Sequence, residues 1–182
     1  AASRGNIECI QILHQFFDDQ IDCTAVDMCM QNALLLAAGN GHAECIATLH
    51  TYFGDKLDCT VVDKYDRNAL MCAAGGGHID CVETLYNIYG DKIDINSVNM
   101  NKHNALMYAI LGGHSDCIKK ICNIYGDKIN YSALDINKRN ILMLTAFNSN
   151  LDCFKIINKF YGSQLDCNTL DMFNNNLLML FV

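Results

Sequence analysis

The chain has 182 residues, of which 51% are hydrophobic, and its formal net charge at pH 7 is −7. Binding a nucleic-acid backbone requires a basic stripe, so this acidic balance argues against a nucleic-acid partner and favours basic or neutral protein partners. No apolar stretch approaches the roughly 20 residues that span a bilayer, and the sequence therefore predicts no membrane insertion.

From residue 32 onwards, one apolar sequence motif recurs at a constant interval of 36 residues. Asparagine is the first residue of each copy, as in Asn32-Ala-Leu-Leu-Leu-Ala-Ala and Asn68-Ala-Leu-Met-Cys-Ala-Ala, and the later copies begin at Asn104, Asn140 and Asn176. A fixed period of this size is typical of a linear array, in which each unit buries its apolar face against its neighbours. We therefore expect function to reside on an extended surface.

The array contains no proline and no visible linker, so the sequence predicts a single domain over residues 1–182. It divides into about five repeats, with boundaries at 1–26 (partial), 27–62, 63–98, 99–134, 135–170 and 171–182 (partial). The first repeat begins within a predicted helix. The last repeat also stops within a predicted helix, at Val182. Because solenoids need polar caps, we expect the chain to be a segment of a longer array or its ends to be covered by a partner.

The third unit shows the predicted elements most clearly. A polar turn over 63–67 precedes Asn68, whose side chain is placed to cap a short helix of small apolar residues. Glycines at 75–77 end that helix because glycine tolerates the left-handed conformation. A second helix over 78–89 has its apolar residues on one face and also ends at a glycine. The segment 91–98 then leads, extended or turn-like, into the next unit.

The eleven cysteines follow the repeat rather than a metal or disulfide framework. One column consists of Cys9, Cys45, Cys81, Cys117 and Cys153, and a second of Cys23, Cys59 and Cys167, with Ile95 and Tyr131 in the equivalent places. Cysteine that exchanges with isoleucine behaves as a small hydrophobic residue. Stacked helices lie about 8–10 Å apart, too far for a disulfide along the main column. We expect reduced thiols and a cytoplasmic, reducing compartment.

Three other columns are predicted to belong to the core. They are the aliphatic column Leu13, Leu49, Leu85, Ile121 and Ile157, the aromatic column Phe17, Phe53, Tyr89, Tyr125 and Tyr161, and the methionine column Met71, Met107, Met143 and Met179. Such ladders at a fixed position of a repeat are far more often packing residues than a cofactor site.

This arrangement resembles the ankyrin repeat, whose pattern runs D-x-x-G-x-T-P-L-H-x-A-A-x-x-G-H-x-E-V-V. The matching residues are Asp63, Leu70, Ala73, Ala74, Gly77, His78, Asp80 and Val82, and Gly41-His42 and Gly113-His114 repeat the loop signature. The resemblance covers the whole chain. It implies an all-α solenoid of stacked helix-loop-helix units with long connecting loops or short hairpins.

The chain also departs from that family. Its period is about 3 residues above the usual value of about 33. The T-P-L-H tetrapeptide is replaced by N-A-L-M, so we expect Asn68 to supply the helix cap and Met71 to contribute only packing. The segment Thr145-Ala-Phe-Asn-Ser-Asn150 lacks the Gly-His pair. We expect local fraying or altered curvature at that loop.

Several patterns suggest chemistry at first sight. His42 and Cys45 form a His-x-x-Cys pair that recurs twice, but zinc requires four converging ligands and each repeat offers two. In the ankyrin family this histidine hydrogen-bonds backbone in the glycine loop. The glycine runs lack the lysine and the preceding strand of a phosphate-binding loop. The sequence predicts no catalytic residue, no metal, no cofactor and no small-molecule substrate, and hence no enzyme.

The resemblance implies a partner-binding groove between the turns and the exposed side of the first helix of each repeat. The turns supply Met28, Met30, Tyr65, Arg67, Met100, His103, Ile136, Arg139, Met172 and Phe173, and the helices Leu36, Cys72, Tyr108, Leu111, Leu144 and Phe147. Aromatic, methionine and arginine residues are enriched where interfaces gain most of their binding energy. We expect some of these side chains instead to pack against the adjacent repeat.

The sequence therefore favours a non-catalytic scaffold that binds a protein partner, as an adaptor or as a structural element of a large assembly, cytoskeletal or ciliary. The alternative is a targeting module of a larger enzyme, for example an acyltransferase, a kinase or a ubiquitin-ligase subunit, whose catalytic domain lies outside this segment. A third possibility is a secreted effector of a parasite or symbiont that acts inside a host cell.

Overall fold

The structure, a computed structural model, describes residues 1–17 and 20–180 and is all-helical over them. The α-helices are α1 (Ile7–Phe17), α2 (Ala33–Gly39), α3 (Ala43–Phe53), α4 (Ala69–Gly75), α5 (Ile79–Tyr89), α6 (Ala105–Leu111), α7 (Ser115–Tyr125), α8 (Ile141–Phe147), α9 (Leu151–Tyr161) and α10 (Leu177–Leu180). Short 3₁₀ helices span Ala2–Arg4, Gly54–Lys56, Gly90–Lys92, Gly126–Lys128 and Gly162–Gln164. Val182, the predicted end of the last repeat, lies outside the described residues. No described helix is long and apolar enough to cross a membrane.

The helices form two layers. The short first helices of the repeats (α2, α4, α6, α8 and α10) pack on one another in one layer, and the longer second helices (α1, α3, α5, α7 and α9) do so in the other. The core lies between the layers, where Leu70, Val82, Leu106 and Ile118 have no exposed surface. Each repeat therefore buries its apolar faces against its neighbours, as the period of the sequence predicts.

The predicted core columns are buried in the interior of the array. Tyr89, Tyr125 and Tyr161 are buried, and so are the first three methionines of their column. At the ends the same columns are open to solvent, since half of the Phe17 side chain and more than half of Met179 are exposed. The position within the repeat thus determines the role of the residue, and a neighbouring repeat on each side completes its burial.

The asparagine column caps the first helices, as predicted. The side-chain oxygen of Asn68 accepts a hydrogen bond of 2.9 Å from the amide of Met71, and Asn32, Asn104, Asn140 and Asn176 make the equivalent bond. In Asn32 and Asn140 the side-chain nitrogen also donates to the carbonyls of Asp58 and Asp166, at 3.0 Å each. These two residues therefore tie a first helix to the loop that follows the second helix of the same repeat.

We expect Asn140→Ala to lower the free energy of unfolding by about 1–2 kcal/mol, because it removes both the cap and the link to Asp166. Asn140→Ser is the matched control: its hydroxyl can still cap Met143 but cannot reach the loop. Urea denaturation followed by circular dichroism measures both variants. If serine and alanine cost the same, the cap contributes nothing at this position.

Glycine follows the second helices α3, α5, α7 and α9, as predicted, and in three of these four the glycine has a positive φ. The values are 50° at Gly54, 49° at Gly90 and 46° at Gly126. Gly162 differs, with a φ of −55° in the right-handed region. Each of these glycines begins a 3₁₀ turn, which the sequence did not predict and which contains part of the surplus over the usual repeat length.

Two histidines of the Gly-His pairs join neighbouring repeats. The Nε2 of His78 donates to the carbonyl of Gly39 at 3.2 Å, and that of His114 to the carbonyl of Gly75 at 3.0 Å. The predicted backbone hydrogen bond is confirmed for these two residues, and its acceptor is in the preceding repeat. His78 and His114 are therefore inter-repeat connections.

The loop at 148–150 keeps this connection without a Gly-His pair. Asn150 donates to the carbonyl of Gly113 at 3.3 Å and caps α9 through the amide of Cys153, while Asn148 donates to the carbonyl of Leu111 at 2.9 Å. Helices α8 and α9 have seven and eleven residues, the same lengths as α6 and α7. The helices on either side of this loop are therefore not shortened, and asparagine amides replace the imidazole as the connection.

Candidate partner-binding groove

Five turns, here called the tips, lie at 27–31, 63–67, 99–103, 135–139 and 171–175 and precede the first helices. In the tip at 63–67 the carboxylate of Asp63 accepts hydrogen bonds from the amides of Tyr65 and Arg67, at 2.9 and 3.0 Å. The amide of Asp63 donates to the carbonyl of Arg67, and that of Asp66 to the carbonyl of Asp63. The same side-chain hydrogen bonds form around Asp27, Asn99, Asp135 and Asp171. One carboxylate or amide thus organises each tip.

The last residue of the tip varies between repeats, and in three tips its side chain donates a hydrogen bond to the aspartate of the same tip. Arg67 donates from its Nε to the second carboxylate oxygen of Asp63 at 2.8 Å, and Arg139 donates in the same way to Asp135. His103 instead lies 3.5 Å from Asp135, in the next tip. Burial lowers the pKa of the His103 imidazole more than Asp135 raises it, so this side chain is neutral at pH 7. Arg67 and Arg139, predicted as partner-binding residues, therefore also hold their own tips.

Main-chain hydrogen bonds connect neighbouring tips. The amide of Lys64 donates to the carbonyl of Cys29, and the amides of Ile136 and Met172 donate to carbonyls of the tips before them, at distances of 2.9–3.0 Å. The apolar tip residues predicted to bind a partner are exposed, namely Met28, Met30, Tyr65, Met100, Ile136, Met172 and Phe173. The tips thus form an ordered edge that presents apolar side chains to solvent.

Of the first-helix side chains predicted to face the groove, some are exposed and some are buried. Phe147 is exposed, whereas Leu36, Tyr108 and Leu111 are half-buried. The prediction is wrong for Leu144, which is fully buried in the hydrophobic core because α8 is packed between α6 and α10. Cys72 is also buried, since its short side chain shares the groove with larger neighbours.

A cavity of about 350 Å³ opens into the groove across α2, α4 and α6. Its lining includes Gln31, Leu36, Gly39, Arg67, Cys72, Gly75 and Tyr108. A Cβ at Gly75 would lie 3.1 Å from the Tyr108 ring, so the absence of a side chain lets that ring lie across α4. The cavity brings together four of the predicted residues, Leu36, Arg67, Cys72 and Tyr108, and adds Gln31 and the two glycines.

The other half of the groove is filled by side chains. Leu111 and Phe147 occupy the positions that Gly39 and Gly75 hold in the earlier repeats. The guanidinium carbon of Arg139 lies 4.6 Å from the centre of the Phe147 ring, a cation–π arrangement. The groove therefore consists of a hollow over α2, α4 and α6 and an apolar ridge over α6 and α8.

A larger cavity, of about 440 Å³, lies at the first repeat and includes Ala2, Ile10, Leu36, Leu49 and Phe53 in its lining. The first helix of that repeat is represented by the short 3₁₀ helix Ala2–Arg4. The lining is dominated by apolar side chains that neighbouring first helices cover in the inner repeats. We therefore interpret this cavity as an inter-repeat packing surface, despite its size.

The buried cysteines of the groove and the core are not activated as nucleophiles and are not grouped with other metal-binding side chains of residues 1–17 and 20–180. No group of three His, Cys, Asp or Glu side chains there is arranged to hold a metal ion. Burial raises the pKa of the Cys72 and Cys81 thiols to about 11 and that of Cys117 to about 12. These thiols are therefore protonated at pH 7 and are poor nucleophiles.

The comparisons with known proteins agree with this architecture. Residues 1–99 and 88–171 match the family model for ankyrin repeats in three copies. A search of curated proteins gives no match. Ankyrin repeats are generally protein–protein interaction modules and are typically non-catalytic. The stacked helix pairs, the glycine-histidine loops and the two family matches together show that this chain belongs to the ankyrin-repeat family.

Proposed function

We propose that this protein is a non-catalytic scaffold that binds a protein partner in the groove between the tips and the first helices. It acts as an adaptor or as a structural element of a larger assembly, such as a cytoskeletal or ciliary one. The observation that carries the proposal is that each of the five tips exposes at least one large apolar side chain, beside an open hollow. Large apolar side chains gathered at an exposed surface commonly mark an interaction site.

The shape of the groove supports a protein partner. An interface needs a rigid surface to avoid a large loss of conformational entropy on binding. The tips meet that need, because each is closed by a central side chain and bonded to a neighbour through main-chain hydrogen bonds. The hollow supplies a recess for an anchoring side chain, and the tip residues supply apolar contact around it.

The partner is expected in a reducing compartment, and we propose the cytoplasm. The chain has eleven cysteines, all free, and seven of them are buried. Oxidation of so many packed thiols would require the repeats to open. A reducing compartment is therefore consistent with cysteine acting as a small packing residue of the core.

The test compares two variants of equal surface character. Tyr65→Ser combined with Ile136→Ser removes apolar contact from the tips, and Ile12→Ser combined with Leu151→Ser alters the second helices α1 and α9, outside the groove. The exposed fractions are 46% for Tyr65 and 55% for Ile136, against 52% for Ile12 and 56% for Leu151, so the second variant is a matched control. In quantitative affinity capture, we expect the tip variant to recover its specific partner about tenfold less well, with an unchanged melting temperature.

The control variant is expected to recover the partner as the original chain does. Equal recovery by the tip variant and the original chain would show that the groove is not the binding surface.

A further inference from the structure

Charge is distributed unevenly between the groove and the rest of the molecule. The first helices with their caps and loops, residues 32–41, 68–77, 104–113 and 140–149, contain no charged side chain. The floor of the groove is therefore neutral. Any electrostatic selection of a partner in the groove must come from the tips that border it.

The three central tips carry an excess of positive charge. Their five cationic side chains are Lys64, Arg67, Lys102, Lys138 and Arg139, and their three carboxylates are Asp63, Asp66 and Asp135, which leaves a net charge of +2 in a chain of −7. Asp63 and Asp135 are only 2% and 3% exposed and are bound by their arginines. Of the three carboxylates in these tips, only that of Asp66 faces solvent.

The tip lysines differ from most other lysines of the described chain in having no carboxylate partner. Lys64 lies over the Tyr65 ring, at 5.1 Å from its centre, and none of the ion pairs between described residues involves Lys64, Lys102 or Lys138. On the second helices and their loops, by contrast, lysines pair with acids, as in Lys92–Asp55, Lys119–Asp116, Lys120–Glu83, Lys128–Asp91 and Lys155–Asp152. Cationic groups available to a partner thus lie along the groove.

We propose that the groove binds an acidic segment of its partner, with carboxylates beside Lys64, Lys102 and Lys138 and an apolar or aromatic side chain in the hollow. This inference rests on the proposed function and specifies its ligand. It is opposite to the expectation from the net charge, which favours a basic or neutral partner. The charge of the tips, rather than the net charge of the chain, determines which ligand is attracted, because salt screens charges that lie more than about 10 Å from the ligand.

The geometry of the array also sets the spacing of the acidic residues. Packed helices are about 8–10 Å apart, and an extended peptide advances about 3.3 Å per residue. A peptide that lies along the tips therefore advances about three residues per repeat. Lys102 and Lys138 occupy the same position in adjacent repeats, so we expect a carboxylate at every third residue or so.

The experiment uses the whole chain and a displayed library of random 12-residue peptides as the probe. We expect the selected peptides to be enriched in Asp and Glu at a spacing of about three, with one apolar residue nearby. A basic or neutral consensus would overturn the inference, and so would recovery of no peptide.

Synthetic peptides of the acidic consensus then test the tips. The variant Lys102→Asp with Lys138→Asp introduces the residue that the tip at 63–67 has naturally, since Asp66 is at the equivalent position with a φ of 60°. The control, Lys119→Asp with Lys155→Asp, makes the same change of charge on exposed second-helix positions. We expect about tenfold weaker binding for the tip variant at low salt, and a smaller difference in about 0.5 M NaCl.

Equal weakening by the two variants would overturn the inference, because net charge rather than the tips would then control binding. The failure of the proposed function looks different. If the selected peptides bind the Tyr65→Ser, Ile136→Ser variant as they bind the original chain, the groove itself is not the site. If that variant loses binding but the tip lysines have no effect, the scaffold function stands and the acidic ligand is wrong.

Discussion

Gly77→Ala is expected to lower the free energy of unfolding by about 2–4 kcal/mol, because three costs meet at this loop. The backbone of Gly77 has a φ of +71°, where a residue with a Cβ is less stable by about 1–2 kcal/mol. The added Cβ would also lie 2.6 Å from Nδ1 of His114. The imidazole would have to move and would lose its hydrogen bond to the carbonyl of Gly75.

Gly77→Ala in a His114→Ala background separates the conformational cost from the contact. The three atoms nearest to the Gly77 Cβ position all belong to the His114 ring, so without that ring we expect Gly77→Ala to cost only about 1–2 kcal/mol. Urea denaturation in the two backgrounds gives the comparison. A similar loss in the two would mean that the His114 ring relaxes without cost and that the inter-repeat hydrogen bond is not a significant source of stability.

The repeat, its two helices and their caps could be predicted from the sequence because each local signal occurs several times. A single Asn-Ala-Leu phrase is a weak indication of a helix start. Five copies at one interval fix both the element and its register, and the structure shows the same cap at each copy. Composition in the helices then determines which face is buried.

Features that depend on two repeats at once were harder to predict. The histidine column was assigned a backbone hydrogen bond, but the pattern within one repeat does not reveal that the acceptor belongs to the preceding unit. Leu144 was placed on the groove because its column contains Leu36 and Tyr108. Its burial depends on how closely α8 is enclosed by α6 and α10, which a periodic pattern does not contain.

Part of the architecture of the tips and of the hollow has a sequence signal. The column of Asp27, Asp63, Asn99, Asp135 and Asp171 recurs at the same 36-residue interval as the asparagine caps, and these residues organise the tips. The hollow follows from two glycines where later repeats have Leu111 and Phe147. Its volume and the crossing of α4 by Tyr108 require the packed structure.

Asp63→Ala is the second change with a large expected effect, about 2–4 kcal/mol of destabilisation. The carboxylate is buried and accepts bonds from the amides of Tyr65 and Arg67 and from the Arg67 guanidinium. Alanine leaves those donors without an acceptor. Asp63→Asn should cost only about 1 kcal/mol, because Asn99 shows that an amide oxygen can organise a tip.

The cost of Asp63→Asn should also depend on pH, which separates the ion pair from the turn. Burial acts to raise the pKa of the Asp63 carboxyl, but hydrogen bonds from the Arg67 side chain and from the amides of Arg67 and Tyr65 outweigh it and hold the pKa below its usual 3.8. The ionised group therefore stabilises the fold above about pH 4, and this contribution is lost as the pH falls through the lowered pKa.

The difference in stability between the original chain and Asp63→Asn is thus expected to be constant well above pH 4 and to shrink as the pH falls below about 4. Urea midpoints at several pH values measure that difference and cancel the titration of other acids, such as Asp58 and Asp171, which both chains share. A constant difference would show that the charge on Asp63 does not stabilise the tip. All five tips would then be held by neutral hydrogen bonding, as the amide of Asn99 holds its own tip.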